Sequence, residues 1–236
     1  MELTAIQKVA VYALPIIFAI TVHEAAHGYV AKHFGDLTAY KQNRIRLNPL
    51  RHIDPIGTII LPAITVLLGG VLFGWAKPVP VNFMNLRHPK QDMLWVAAAG
   101  PFSNLIMAIF WAILFGRSAY FPESMSLFVQ QMGIAGMSIN LSLMILNLIP
   151  LPPLDGGRIA VSLLPDHLAY KYAQVERYGF LILIILLMTH ILDLIIFPLI
   201  QISQSLILWI FAYELRYRLW LLNALYLACD LQAIFI

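Results

Sequence analysis

Charge is scarce in this chain, and cysteine is almost absent. Only 11% of the 236 residues are charged, where a soluble domain carries roughly 25%. That shortfall argues against a soluble protein, and the 61% hydrophobic content points to an integral membrane protein instead. A single cysteine, Cys229, excludes an intrachain disulfide and a thiolate metal cluster. Acidic residues number 12 against 15 basic ones. In a chain this apolar the small basic excess reads as membrane topology, with no nucleic-acid partner implied.

What is present is a set of apolar runs, each near the roughly 20 residues that span a bilayer as a helix. They cover about residues 9–34, 93–115 and 132–149, with a further span at 180–197 and another segment at 199–213. The run at 132–149 carries Gly133, Gly136, Ser138, Asn140 and Ser142, small or polar residues that let helices approach closely. Residues 116–130 read as a loop. Between the first two spans lie a polar, basic stretch at 37–55 and an apolar stretch at 56–73 that Pro62 and Gly69-Gly70 interrupt. The alternation in Thr38-Ala39-Tyr40 and Arg44-Ile45-Arg46-Leu47 predicts a short β-hairpin at the membrane surface. Its edge, with Arg44, Ile45 and Arg46, is a candidate to bind an extended substrate peptide. If 56–73 dips in and returns as a re-entrant segment, 13 of the 15 basic residues fall on the cytoplasmic side. The first span carries no small-residue cleavage site ahead of its polar motif, so it is not read as a signal peptide. The tail 216–236 has no clear assignment.

That polar motif is His23-Glu24-Ala25-Ala26-His27, inside an apolar helix. Positions i and i+4 share a helix face, so His23 and His27 can bind one metal ion. Glu24 borders that face, where it can reach a water. Ionisable residues within a membrane segment are costly, which makes them a functional hypothesis by default. A catalytic zinc takes three protein ligands and keeps a fourth position for water. Asp155, Asp193 and His190 are candidates for the third. Asp193 and His190 lie three apart and can satisfy each other as a structural pair. Asp155 sits in Leu151-Pro152-Pro153-Leu154-Asp155-Gly156-Gly157, where prolines and glycines let a side chain turn inward.

Three motifs in order then resemble the site-2 protease family of intramembrane zinc metalloproteases. They are the H-E-x-x-H motif, Gly100-Pro101-Phe102-Ser103-Asn104, and Asn147 through Gly157 with its Asn-Leu-Ile-Pro-Leu-Pro-Pro-Leu-Asp-Gly-Gly sequence. The stretch 74–81 resembles a compact subgroup without the PDZ domain that some relatives insert. The resemblance implies an all-α membrane fold: a three-helix catalytic core over residues 1–158 and additional helices over 159–236. It implies one zinc per chain on His23, His27 and Asp155, with Glu24 as general base. Asn147 would hold the substrate backbone or the attacked carbonyl, and Asn104 would shape the site. The substrate would be a transmembrane protein cut in or near its span, and the setting a bacterial plasma membrane with the site toward the cytoplasm. A prenyl-protein peptidase would take a glutamate as third ligand, and the later Glu123, Glu176 and Glu214 match no such motif. A metal transporter or a non-enzymatic helix-binding protein is the other alternative.

Overall fold

The protein is described from a computed structural model, which covers residues 5–49, 54, 77–189 and 191–211. The chain is an all-α integral membrane protein. Among the described residues, four helices are long and apolar enough to cross a membrane, over Val9–His33, Pro89–Gly116, Glu123–Leu148 and Leu194–Phe211.

Helix α1 (Ala5–His33) contains Pro15 and ends at a glycine that reverses the chain. Gly35 adopts φ 110°, a conformation that suits a residue without Cβ. The Asp36 N–H reaches Ala31 O at 2.9 Å, and the Gly35 N–H reaches Lys32 O at 3.2 Å. Two of the carbonyls that a helix end leaves open are thereby satisfied.

Asp36 follows directly and is buried. It accepts the Thr38 N–H at 2.9 Å and the Thr38 hydroxyl at 2.5 Å. These bonds start a helical turn, α2 (Thr38–Lys41), where alternation had predicted a strand. Asn43, at φ 57°, then turns the chain again. Among the described residues there is no strand, so the hairpin expected over 37–55 is not found in 37–49. Local side-chain bonds from Asp36 outweigh a four-residue alternation with no partner strand to pair with. The re-entrant stretch 56–73 and the tail 216–236 lie outside the described residues.

Helix α3 (Pro89–Gly116) starts on a proline, and the Asp92 carboxylate accepts the His88 N–H at 2.7 Å to close its first turn. Helix α4 (Glu123–Leu148) begins well before the apolar run expected at 132–149. Residues 123–130, read as loop, are helical: Pro122 precedes the first turn and no breaker follows it. α1, α3 and α4 pack against one another as a three-helix core. Glycines set the α3–α4 distance. A Cβ on Gly133 would lie 2.8 Å from Phe115 Cβ, and one on Gly136 would strike the Trp111 ring.

Three further helices, α5 (Asp155–Leu163), α6 (Asp166–Ala173) and α7 (Glu176–Met188), lead to α8 (Ile191–Phe211). The boundary expected between the segments 180–197 and 199–213 falls earlier, because Pro198 lies inside α8. Thr189 ends α7 by donating its hydroxyl to Ile185 O at 2.8 Å. α7, with 13 residues, rises about 20 Å, short of a hydrocarbon core about 30 Å thick. The expected span 180–197 is therefore divided between two helices. α8 docks on α4, where Gln204 Nε2 donates to Ser138 Oγ at 2.7 Å in the buried interface.

Candidate metal centre

Two histidines one turn apart on α1 face the backbone of α3. They can do so because residue 100 is glycine: a Cβ there would lie 2.6 Å from His23 Nε2 and would overlap His27 Nε2. One turn further along α3, Asn104 is fully buried between the helices. Its Oδ1 accepts from His23 Nδ1 at 2.5 Å, and its Nδ2 donates to Asn140 Oδ1 of α4 at 3.0 Å. Asn140 Nδ2 in turn donates to Gly136 O at 2.8 Å. A main-chain carbonyl only accepts, so the direction of the whole relay is set from Gly136 outward. His23 must carry its proton on Nδ1. His27 Nδ1 donates to Val96 O at 2.7 Å, which sets the same tautomer.

In the neutral rings both Nε2 lone pairs are therefore bare, and the two nitrogens lie 3.1 Å apart. Asp155 completes a triangle. Its Oδ2 lies 3.2 Å from His23 Nε2 and 3.4 Å from His27 Nε2. That oxygen is buried, and among the described residues no donor reaches it. Three lone-pair donors this close, without a proton between them, suit a cation at their centre. Tetrahedral zinc with bonds of about 2.0–2.1 Å places its ligand atoms about 3.3–3.4 Å apart, so the triangle fits that ion. Among the described residues, these three form the group that could hold a metal. Their side chains are 10–12% exposed, which leaves the centre shielded without sealing it.

The loop before α5 delivers Asp155. A Cβ on Gly156 would strike the carbonyls of Leu148 and Ile149, and one on Gly157 would strike Pro152 N. The two glycines thus allow residues 148–157 to fold tightly back. From the outside, the Tyr172 hydroxyl bonds Pro150 O, and Gly179 of α7 lies so close to Pro152 O that it has no room for a side chain.

Glu24 stands beside the triangle, and its Oε2 accepts the Val79 N–H at 2.7 Å. Asn147 donates to Leu143 O of its own helix at 2.9 Å, which commits one amide proton. Arg44 is buried and donates to Lys77 O at 3.1 Å and Pro78 O at 3.2 Å. Ile45 packs near Gly28 of α1, and Arg46 is exposed. The side chains of His190 and Asp193 lie outside the description. Sequence reasoning missed the Asn140 link, the Val96 carbonyl and the Val79 N–H. Asn140 alone had a signal, as an amide in an apolar run.

Comparison with known proteins gives a consistent assignment. The model of "Peptidase family M50" matches residues 120–190. The candidate zinc metalloprotease YwhC of Bacillus subtilis (strain 168) is 40% identical over 203 residues, covering 84% of this chain and 90% of that protein. The candidate zinc metalloprotease Rip2 of Mycolicibacterium smegmatis (strain ATCC 700084 / mc(2)155) is 30% identical over 180 residues, covering 75% of this chain and 66% of that protein. No solved structure matches the chain. With its motifs in order and a relative aligned along nearly its full length, the chain belongs to peptidase family M50, the site-2 protease family.

Proposed function

We propose that the protein is an intramembrane zinc metalloprotease that hydrolyses peptide bonds in or near transmembrane segments of membrane-protein substrates. The observation that carries this reading is the triangle of bare donors on His23, His27 and Asp155, with the Glu24 carboxylate beside it. His23, His27 and Asp155 would hold one zinc ion. When bound, zinc supplies Lewis acidity toward the attacking water and the scissile carbonyl.

The remaining chemistry belongs to the chain. Asn104 and Val96 hold the imidazoles in the tautomer that presents Nε2. Glu24 takes a proton from the attacking water and returns it to the leaving amine as the C–N bond breaks. Asn147 keeps an amide oxygen and one N–H for the substrate backbone or the attacked carbonyl. The apolar faces of the helices keep bulk water away, and the substrate helix must unwind locally to expose a peptide bond.

The catalytic core is residues 1–158, followed by C-terminal helices and tail over 159–236. The active site faces the cytoplasm of a bacterial plasma membrane. Supporting this orientation, the histidines lie in the last part of α1, and Lys41, Arg44 and Arg46 emerge just beyond that end. The bacterial sources of the relatives support the setting.

The test compares purified wild type with Glu24→Gln in detergent, assaying zinc and cleavage of a single-span substrate. Both proteins should hold zinc and only wild type should cut. Retained cleavage by Glu24→Gln would remove the general-base role.

A further inference from the structure

The stretch 77–81 has no part in the chemistry above, yet it touches the one carboxylate that moves protons. Val79 lies between Pro78 and Pro80. Proline carries no N–H, so Val79 supplies the sole main-chain donor of the three residues, and Glu24 Oε2 accepts it at 2.7 Å.

The segment is fixed on both sides of this bond. On one side, Arg44 spans Lys77 O and Pro78 O through the same Nη2, at 3.1 and 3.2 Å. On the other side, Asp36 Oδ2 accepts the Asn82 N–H at 2.7 Å, and Asp36 Oδ1 accepts from Asn85 Nδ2 at 3.2 Å. Beneath it, one turn beyond Glu24, Gly28 provides the seat. A Cβ there would lie 3.1 Å from Val79 Cγ1 and 2.9 Å from Ile45 Cγ1. Val79 and Arg44 are both buried in this arrangement.

We infer that the proline-flanked N–H of Val79, held in place by Arg44, positions the catalytic carboxylate: it ties down Glu24 Oε2 and leaves Oε1 to exchange the proton. The inference rests on the general-base reading of Glu24. A carboxylate on a flexible stem has several rotamers, and a charge-assisted bond to a braced main-chain donor selects one. Arg44, a candidate for binding substrate on sequence grounds, acts here through the strap.

The test uses full-length protein in detergent, with Val79→Pro to delete the donor and Val79→Ala to keep it. Zinc content, kcat and KM on a single-span substrate are measured. The Glu24 carboxylate stretch is followed by infrared spectroscopy of protein carrying carboxyl-labelled glutamate, its band assigned by its loss in Glu24→Gln. Val79→Pro should keep its zinc, shift the Glu24 band and lower kcat by about tenfold or more, as expected for losing a hydrogen bond to a charged group, with KM changed by less than about threefold. Val79→Ala should lose at least about fivefold less in kcat. An unshifted band in Val79→Pro, or a raised KM with kcat intact, overturns the inference; the latter would make the strap a substrate-binding surface. Should Val79→Pro fail to fold, Arg44→Gln releases the strap without adding a proline and carries the same expectations and the same refutations. If Glu24→Gln still cleaves, the general-base reading fails. The infrared band still decides whether Val79 holds the carboxylate.

Discussion

Adding one carbon atom to α3 should separate metal binding from folding. In Gly100→Ala, the new Cβ would stand 2.6 Å from both Cε1 and Nε2 of His23 and overlap Nε2 of His27. Comfortable contact begins at about 3.5 Å, so the His23 ring must retreat by roughly 0.9 Å and that of His27 by more, or α3 must move. His23 cannot retreat freely, because Asn104 holds its far nitrogen at 2.5 Å, and Val96 O holds that of His27 at 2.7 Å. Overpacking of this kind costs about 1–3 kcal/mol. If the strain falls on the ligand triangle, zinc affinity weakens roughly fivefold to a hundredfold. The assay is a chelator competition titration on purified protein in detergent, with thermal unfolding of the zinc-free form in parallel. Gly133→Ala is the comparison, since its Cβ meets Phe115 at 2.8 Å, on the contact between α3 and α4. It should lower stability and leave affinity nearly intact. A Gly100→Ala protein that binds zinc as tightly as wild type would refute the placement of both rings against α3.

Two other outcomes follow from contacts already given. Asn104→Ala removes the acceptor that orients His23 and strands Asn140, so zinc affinity should fall about tenfold to a hundredfold, as for other second partners of metal-binding histidines; the same competition titration measures it. Asp36 anchors the far end of the strap, and its carboxyl lies below its ordinary value of 3.8. Burial is the largest influence and pushes it up, but bonds from the Thr38 hydroxyl and N–H, the Asn82 N–H and the Asn85 side chain together outweigh it. A lowered folded value means the anchor contributes fully above the ordinary value and is lost as pH falls through the lowered one. Proteolysis at 77–85 should therefore rise on acidification below about pH 4 in wild type. In Asp36→Asn it should be high throughout.

Three of the spans and the candidate metal ligands were legible for one reason: both are local patterns. A long apolar run and a four-residue histidine spacing need no partner to be read. Asp155 was readable because its prolines and glycines announce a turn, although Asp193 and His190 remained alternatives until Asp155 was found 3.2 and 3.4 Å from the two imidazoles. What escaped was non-local or main-chain. His23 and Asn104 are 81 positions apart, and their bond follows from how α1 crosses α3. The Val79 donor is a backbone group with no side-chain signature. The hairpin failed because Asp36, two residues ahead of Thr38, captures its N–H and hydroxyl, a bond that an alternation count does not weigh. The boundary drawn between 197 and 199 is absent because Pro198 lies inside α8, and helices inside a bilayer keep prolines that water-exposed helices reject.

The contact of Gly179 with Pro152 separates two ways of dividing this chain. By motifs, the candidate catalytic and metal-binding residues end near residue 158. By mechanics it does not, because α7 and Tyr172 of α6 brace the turn that carries Asp155, the third candidate ligand. The later helices thus work as a backstop: remove them, and Asp155 remains in the sequence but loses the wall that stops its loop from swinging outward. A shift of α7 would reach Asp155 through the packing of Gly179 on Pro152 and Pro153, with no change to any of the three candidate ligands.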